Sequence, residues 1–244
     1  MCTVSLITTS ASGFRLVTNR DEKRTRVPAK QPQWRTLGGG LSAIWPTDPQ
    51  GGGTWIGANT RGLVLCVLNV NFQPSIHPPA PGSLISRGTL IPSLIESSDA
   101  SAAMASLLEM DLDRFAMFRL IAADMKDGRL RVGNARWDRR NMDLVWQTSP
   151  VCYVSSGLGD ALVQPRLPLF ERLVAQDPTV ETQDAFHRHT WPNRLPISVL
   201  MSRPDARTIS ITSVDMTRES KDRWDVGMAY EPVEEEGSRS EQHA

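Results

Sequence analysis

Residues 63–70, Leu-Val-Leu-Cys-Val-Leu-Asn-Val, form an almost continuous apolar run. The run is too short for a buried helix. It lies between the turn Gly57-Ala58-Asn59-Thr60-Arg61-Gly62 and a Pro-rich loop over 72–82, so it reads as a strand. A strand apolar on both sides must be covered on both faces, which requires a layered architecture. The other strand signals fit that demand. Residues 2–8 and 14–18 form a hairpin across Ser10-Ala11-Ser12-Gly13, Thr54-Trp55-Ile56-Gly57 reads as a strand, and 118–123 and 130–133 flank the turn Lys126-Asp127-Gly128. Strands follow at 144–146 and 151–154, and a closing hairpin is expected from 197–202 and 207–214 across Pro204-Asp205-Ala206. Helix signals cover 84–96, 99–109 behind the Ser98-Asp99 cap, 165–176 with Pro165 in its first turn, and a short segment near 181–189. Runs of strands followed by runs of helices predict an α+β fold with two mostly antiparallel sheets and helices on their outer faces.

Residues 25–53 read as loop, with prolines at 28, 32, 46 and 49 and glycine triplets at 38–40 and 51–53. A glycine-rich loop cradles phosphate when it follows a strand and opens a helix. Here Thr54 begins a strand instead, so the triplets read as flexible loops. The chain of 244 residues is expected to form one domain over 1–230, followed by an acidic, apolar-poor tail over 231–244 that reads as disordered. Twenty-seven basic residues balance 27 acidic ones, so no basic surplus points to nucleic acid. No apolar run reaches the roughly 18–20 residues of a membrane span, and the first residues lack the charged start of a signal peptide. A cytoplasmic location is the expectation. Cys2, Cys66 and Cys152 are too scattered for a disulfide framework or a zinc site, and no metal or cofactor is expected. His187 and His189 are spaced so that they face different sides of a helix, and read as a surface pair.

The candidate chemistry begins at Cys2, directly behind the initiator methionine. Removal of Met1 would leave one residue carrying both a thiol and a free α-amine. The thiolate is the nucleophile, and the amine, with an ordinary pKa of about 7.7–8.0, can serve as its built-in base. The competing reading is a buried strand cysteine and nothing more. The hairpin ends in Asn19-Arg20-Asp21-Glu22-Lys23-Arg24, a polar segment that either forms a solvated turn or delivers charged groups beside the N-terminus. Asn69, at the end of the apolar run, either caps a turn or offers its amide N–H to an oxyanion.

Met1-Cys2 opening a strand, Thr18-Asn19-Arg20-Asp21-Glu22, Gly52-Gly53-Thr54-Trp55-Ile56-Gly57, Gly62 before an apolar run ending in Asn69, and Ser86-Arg87-Gly88 together resemble the NRDE family, also called the transport and Golgi organisation 2 family. That family is regarded as similar to N-terminal nucleophile hydrolases of the choloylglycine hydrolase and penicillin V acylase type. The resemblance implies a four-layer αββα sandwich and cleavage of a small linear amide. It implies Cys2 as nucleophile, Asp21 as the group holding the α-amine or thiol, and Asn69 as oxyanion donor. Asn19, Arg20, Arg87 and Asp160 are the candidate substrate-binding residues. Two positions depart from the pattern. Thr18 stands where those hydrolases carry an arginine, with Arg20 nearby instead. Asp160 in Gly157-Leu158-Gly159-Asp160 replaces an asparagine, and an ionised carboxylate cannot donate to an oxyanion. The family also implies a second function, a non-catalytic binding or trafficking protein that handles haem or acyl lipids. The sequence holds no Cys-Pro haem motif, and neither His77 nor His187 has the surroundings of a ligand.

Overall fold

The computed structural model describes residues 2–71, 84–220 and 223–234. Strands β1 (Cys2–Ser10) and β2 (Gly13–Lys23) form the expected hairpin, with Cys2 opposite Arg20. Both continue further than the apolar pattern alone predicts. Polar side chains at the far end of β2 are buried between layers rather than solvated. After them come β3 (Lys30–Thr36), β4 (Ser42–Thr47), β5 (Ile56–Asn59) and β6 (Val64–Asn69). Helices α1 (Leu90–Leu94) and α2 (Ala100–Leu108) precede the meander β7 (Phe118–Lys126), β8 (Arg129–Trp137) and β9 (Met142–Thr148). Strand β10 (Val151–Ser155) leads to α3 (Arg166–Phe170), which widens into a π-helical turn over Glu171–Ala175, and to α4 (Val180–His187). The last described elements are β11 (Ala206–Ser220) and β12 (Arg223–Pro232).

These strands make two antiparallel sheets, one ordered β10-β1-β2-β11-β12 and the other running β3 to β9 in chain order. Helices α1 and α2 lie on the second sheet, and α3 and α4 on the first, so the α+β sandwich has four layers. Val4, Leu6, Phe14 and Leu16 of the first sheet meet residues of the second in the main core, with Val64 to Leu68 buried as the apolar run requires. A smaller core of Ile7, Phe170, Val174, Phe186 and Val199 lies between the first sheet and its helices. Side chains alternate across β2, and this alternation positions the site. Phe14 and Leu16 join the inter-sheet core, while Arg15 reaches Asp184 at 2.8 Å and Asn19 reaches His187 on the helix side.

Four expectations change. The 25–53 segment contains β3 and β4, because Pro32 lies on the exposed edge strand β3, where a missing N–H is tolerated. The 197–202 stretch makes only an isolated bridge, Ser202 to Arg207, and β11 pairs with β2 and β12 instead of closing a hairpin with it. Strand β12 alternates buried Trp224 and Val226 with exposed residues and runs through Pro232, past the expected domain end at 230. The expected 84–96 helix is reduced to α1 behind a short 3-10 turn at Arg87–Thr89, while α2 begins where predicted, with Asp99 accepting from Ala102 N at 2.8 Å. The Pro-rich loop, His77 and the tail from 235 lie outside the described residues.

Candidate active site

Cys2 begins β1 with β2 on one side and β10 on the other, opposite Arg20 and Ser155 respectively. A strand paired on both sides holds its backbone rigidly, so the thiol has one address. It is 6% exposed and lies at the wall of a cavity of about 220 Å³ between the two sheets. Asn69, at the end of β6, lines the same cavity, as do Arg20, Trp55 and Arg87. The sandwich therefore brings the proposed nucleophile and the proposed oxyanion donor to one space.

Asp21 follows Cys2's cross-strand partner and points to the opposite face of the sheet, where it is 1% exposed. Thr208 of β11 donates to its Oδ1 at 2.6 Å, and Arg166 lies 3.7 Å from its Oδ2. Burial pushes the Asp21 carboxyl above the ordinary carboxylate value, against the pull of Arg166, the positive N-terminus and Thr208. The Cys2 thiol is also raised, first by burial, with Asp21 and Glu22 acting the same way and the N-terminus and Arg20 opposing. Each group thus feels the other and the chain's N-terminal charge. A thiol in that setting requires a base to become a nucleophile.

The remaining candidates divide. Arg20 is 3% exposed, donates from Nη2 to Asp48 Oδ2 at 2.8 Å, and lies over the Trp55 ring at 4.4 Å. Arg26 also donates to Asp48 Oδ2, and Asp48 Oδ1 accepts from Gln50 and Gly51 N–H. Burial opposes the Asp48 charge, but Arg26, Arg20 and the two backbone donors win and hold its carboxyl below the usual value. The second glycine triplet is therefore a turn wrapped around Asp48. Arg87 is anchored to Met117 O at 3.0 Å and lines the cavity rather than a helix surface. Its position depends on a close backbone approach. A Cβ on Gly53 would meet the Gly88 backbone at 2.4 Å, and Thr54 N donates to Gly88 O at 3.0 Å.

Asn19 does not reach the cavity. Its amide donates to His187 O and Val199 O and accepts from the His187 ring on the helix side of the sheet. Asp160 is likewise occupied, accepting from Ser156 N of its own loop at 2.9 Å and from Asn71 N, two residues past the end of β6, at 3.2 Å. His187 is fully buried, which corrects the surface-pair reading; its Nε2 is 2.7 Å from Ser5 Oγ and its Nδ1 bonds to Asn19. Both ring nitrogens are engaged, so ligating haem iron through either would break a buried hydrogen bond. Arg166, Asp48 and Trp55 were missed as site residues. Arg166 is 1% exposed and donates to Thr3 Oγ1 at 2.7 Å, and only its non-local partners mark it.

Two paired sheets with helices outside and a cysteine leading a central strand define the N-terminal nucleophile hydrolase fold. The C. elegans N-acylethanolamine-hydrolyzing acid amidase ortholog superposes with a TM-score of 0.57 at 10% identity, covering 91% of this chain and 95% of its own. Penicillin V acylase from Agrobacterium tumefaciens gives 0.51 at 13% identity, covering 93% and 85%. Within that fold class the chain belongs to the Transport and Golgi organisation 2 family, which matches residues 1–173. The human and bovine Transport and Golgi organization protein 2 homologs are each 30% identical over 118 residues, 48% of this chain. The match spans 41% of those relatives' length. Among the described residues no helix is long and apolar enough to cross a membrane.

Proposed function

We propose that the chain is an N-terminal-cysteine hydrolase of a small linear amide. Removal of Met1 frees the α-amine of Cys2. That amine takes the thiol proton, and the thiolate adds to the amide carbonyl carbon. The Asn69 amide N–H holds the oxyanion, a contribution of about 3 kcal/mol in related sites. Collapse expels the amine, which receives the proton from the α-ammonium, and leaves a thioester. Water then attacks the thioester, giving up a proton to the α-amine; the C–S bond breaks, the acyl group leaves as a carboxylic acid, and the α-ammonium returns the proton to the thiolate. Asp21, on the opposite face beside the N-terminus, positions the ammonium. The observation that carries this reading is that Cys2 and Asn69 line one cavity. A cytoplasmic setting agrees with three free cysteines.

Mass spectrometry of purified protein, followed by a stoichiometric thiol electrophile, tests it. The expected result is loss of Met1 and a single adduct on Cys2. Cys66 and Cys152 should stay unmodified, because burial raises both thiols and neither lines the cavity. Retained Met1 blocks the amine and removes the mechanism. A non-catalytic binding protein on the same fold would show the processed terminus without amide turnover.

A further inference from the structure

Two residues that line the cavity carry buried donors that the protein itself leaves without acceptors. Arg20 Nη1 and Trp55 Nε1 are both buried and unbonded, and both residues line the cavity. Native proteins rarely leave such atoms unpaired, and an unpaired donor on a charged group is the costlier case. Asp48 is occupied by Arg20, Arg26 and two backbone N–H groups, and Glu22 stands 3.6 Å from Arg20 Nη2, on the other nitrogen of the guanidinium and beyond hydrogen-bond distance. Arginines 20, 26 and 87 and the carboxylates of Glu22 and Asp48 line the cavity, a side-chain surplus of one positive charge.

We propose that the cavity takes an amide bearing a carboxylate, which Arg20 Nη1 and Trp55 Nε1 hold while the scissile carbonyl faces Cys2. This rests on the hydrolase reading and narrows its substrate class. The guanidinium lies over the indole ring at 4.4 Å, so the two donors stand on stacked groups that move as one. A planar carboxylate offers two oxygens to such a pair. The surplus of positive side chains, with the freed α-amine of Cys2 beside them, favours an anion over a neutral ligand. The volume of about 220 Å³ lies below the roughly 300–1,000 Å³ of drug-sized sites, so the part of the ligand seated beside Cys2 is small.

Titration calorimetry on the Met1-free Cys2→Ala protein tests the assignment, since that variant binds without the proposed chemistry. The probes are N-acetylglycine, its neutral counterpart N-acetylglycinamide, and inorganic phosphate. N-acetylglycine should bind, with the neutral amide at least about tenfold weaker, the value of one charge-assisted hydrogen bond. Trp55→Phe in that background keeps the ring and should weaken only the acid. Arg20→Gln serves the same purpose if that variant fails to fold. Equal affinity for acid and neutral amide, no saturable binding of the acid, or tighter binding of phosphate each overturns the proposal. Absence of turnover by wild-type protein would remove the hydrolase reading and leave this binding comparison intact. Turnover that ignores the carboxylate would do the reverse.

Discussion

The two faces of the β1–β2 hairpin invite opposite readings. On the helix side, Ser5, His187 and Asn19 line up as hydroxyl, imidazole and amide, with the imidazole bonded at both nitrogens. That alignment imitates a nucleophile, base and orienting group. Yet all three residues are 0% exposed, and Gln183 completes the network by donating to Ser5 Oγ at 2.8 Å. No described cavity includes any of them. On the sheet-to-sheet side, Cys2, Arg20 and Trp55 have little of that order but border open volume and include unpaired donors. Satisfied geometry marks a structural network, and unsatisfied polar atoms beside a space mark a site.

Substitutions on the two faces should separate these roles. The largest effect is expected from Cys2→Ala, which should cut amide hydrolysis by several orders of magnitude in a steady-state assay, while Ser5→Ala leaves the rate unchanged. A comparable loss in Ser5→Ala would break the distinction. Asn69→Ala should lower kcat by about 10²–10³-fold with little change in KM, as expected for a donor used mainly in the transition state. His187→Ala should leave the rate of Cys2 labelling unchanged but lower stability by about 2–4 kcal/mol in urea titrations, because it orphans Ser5 and Asn19 and opens a void.

The smallest effect concerns pH. Burial, reinforced by Arg15, Arg188 and Arg166, holds the His187 imidazole well below its ordinary value of 6.5, so it stays neutral in the folded chain. The unfolded chain takes up that proton as pH falls through 6.5 and the folded chain does not. The unfolded state then binds more protons, and stability falls with decreasing pH, with a slope approaching about 1.4 kcal/mol per pH unit from this group. His187→Gln should remove that part of the slope, read as the difference between the two proteins' urea midpoints from neutral pH downward. Parallel profiles would show that His187 is not the titrating group.

Much of the inner face was legible because its cues are local. The apolar run ending in Asn69 and the hairpin carrying Cys2 toward Arg20 are patterns within a few residues. The helix-side network was not legible in this way. His187 sits in the polar stretch His187-Arg188-His189, and its partners Ser5 and Asn19 are 182 and 168 residues away. Arg166 looked like an ordinary first-turn residue until Thr3 and Asp21 closed around it. Strand β12 was missed because its two buried residues, Trp224 and Val226, sit between exposed Arg223, Asp225 and Gly227 on an edge strand, and their burial comes from the facing sheet. Asn19 and Asp21 were read with Arg20 as one polar cluster, yet alternation sends both of them to the other side of the sheet.

The meeting of Gly53 and Gly88 has a consequence for how this protein tolerates change. One added methyl on Gly88 would meet Thr54 N at 3.0 Å, a tight contact that a shift of a few tenths of an ångström relieves. One on Gly53 would meet the Gly88 backbone at 2.4 Å and wedge the two loops apart, carrying Arg87 with them. The wall charge would then sit elsewhere relative to the thiol, although no ionisable group had been gained or lost. An uncharged position, Gly53, therefore acts as a dial on the field inside the cavity.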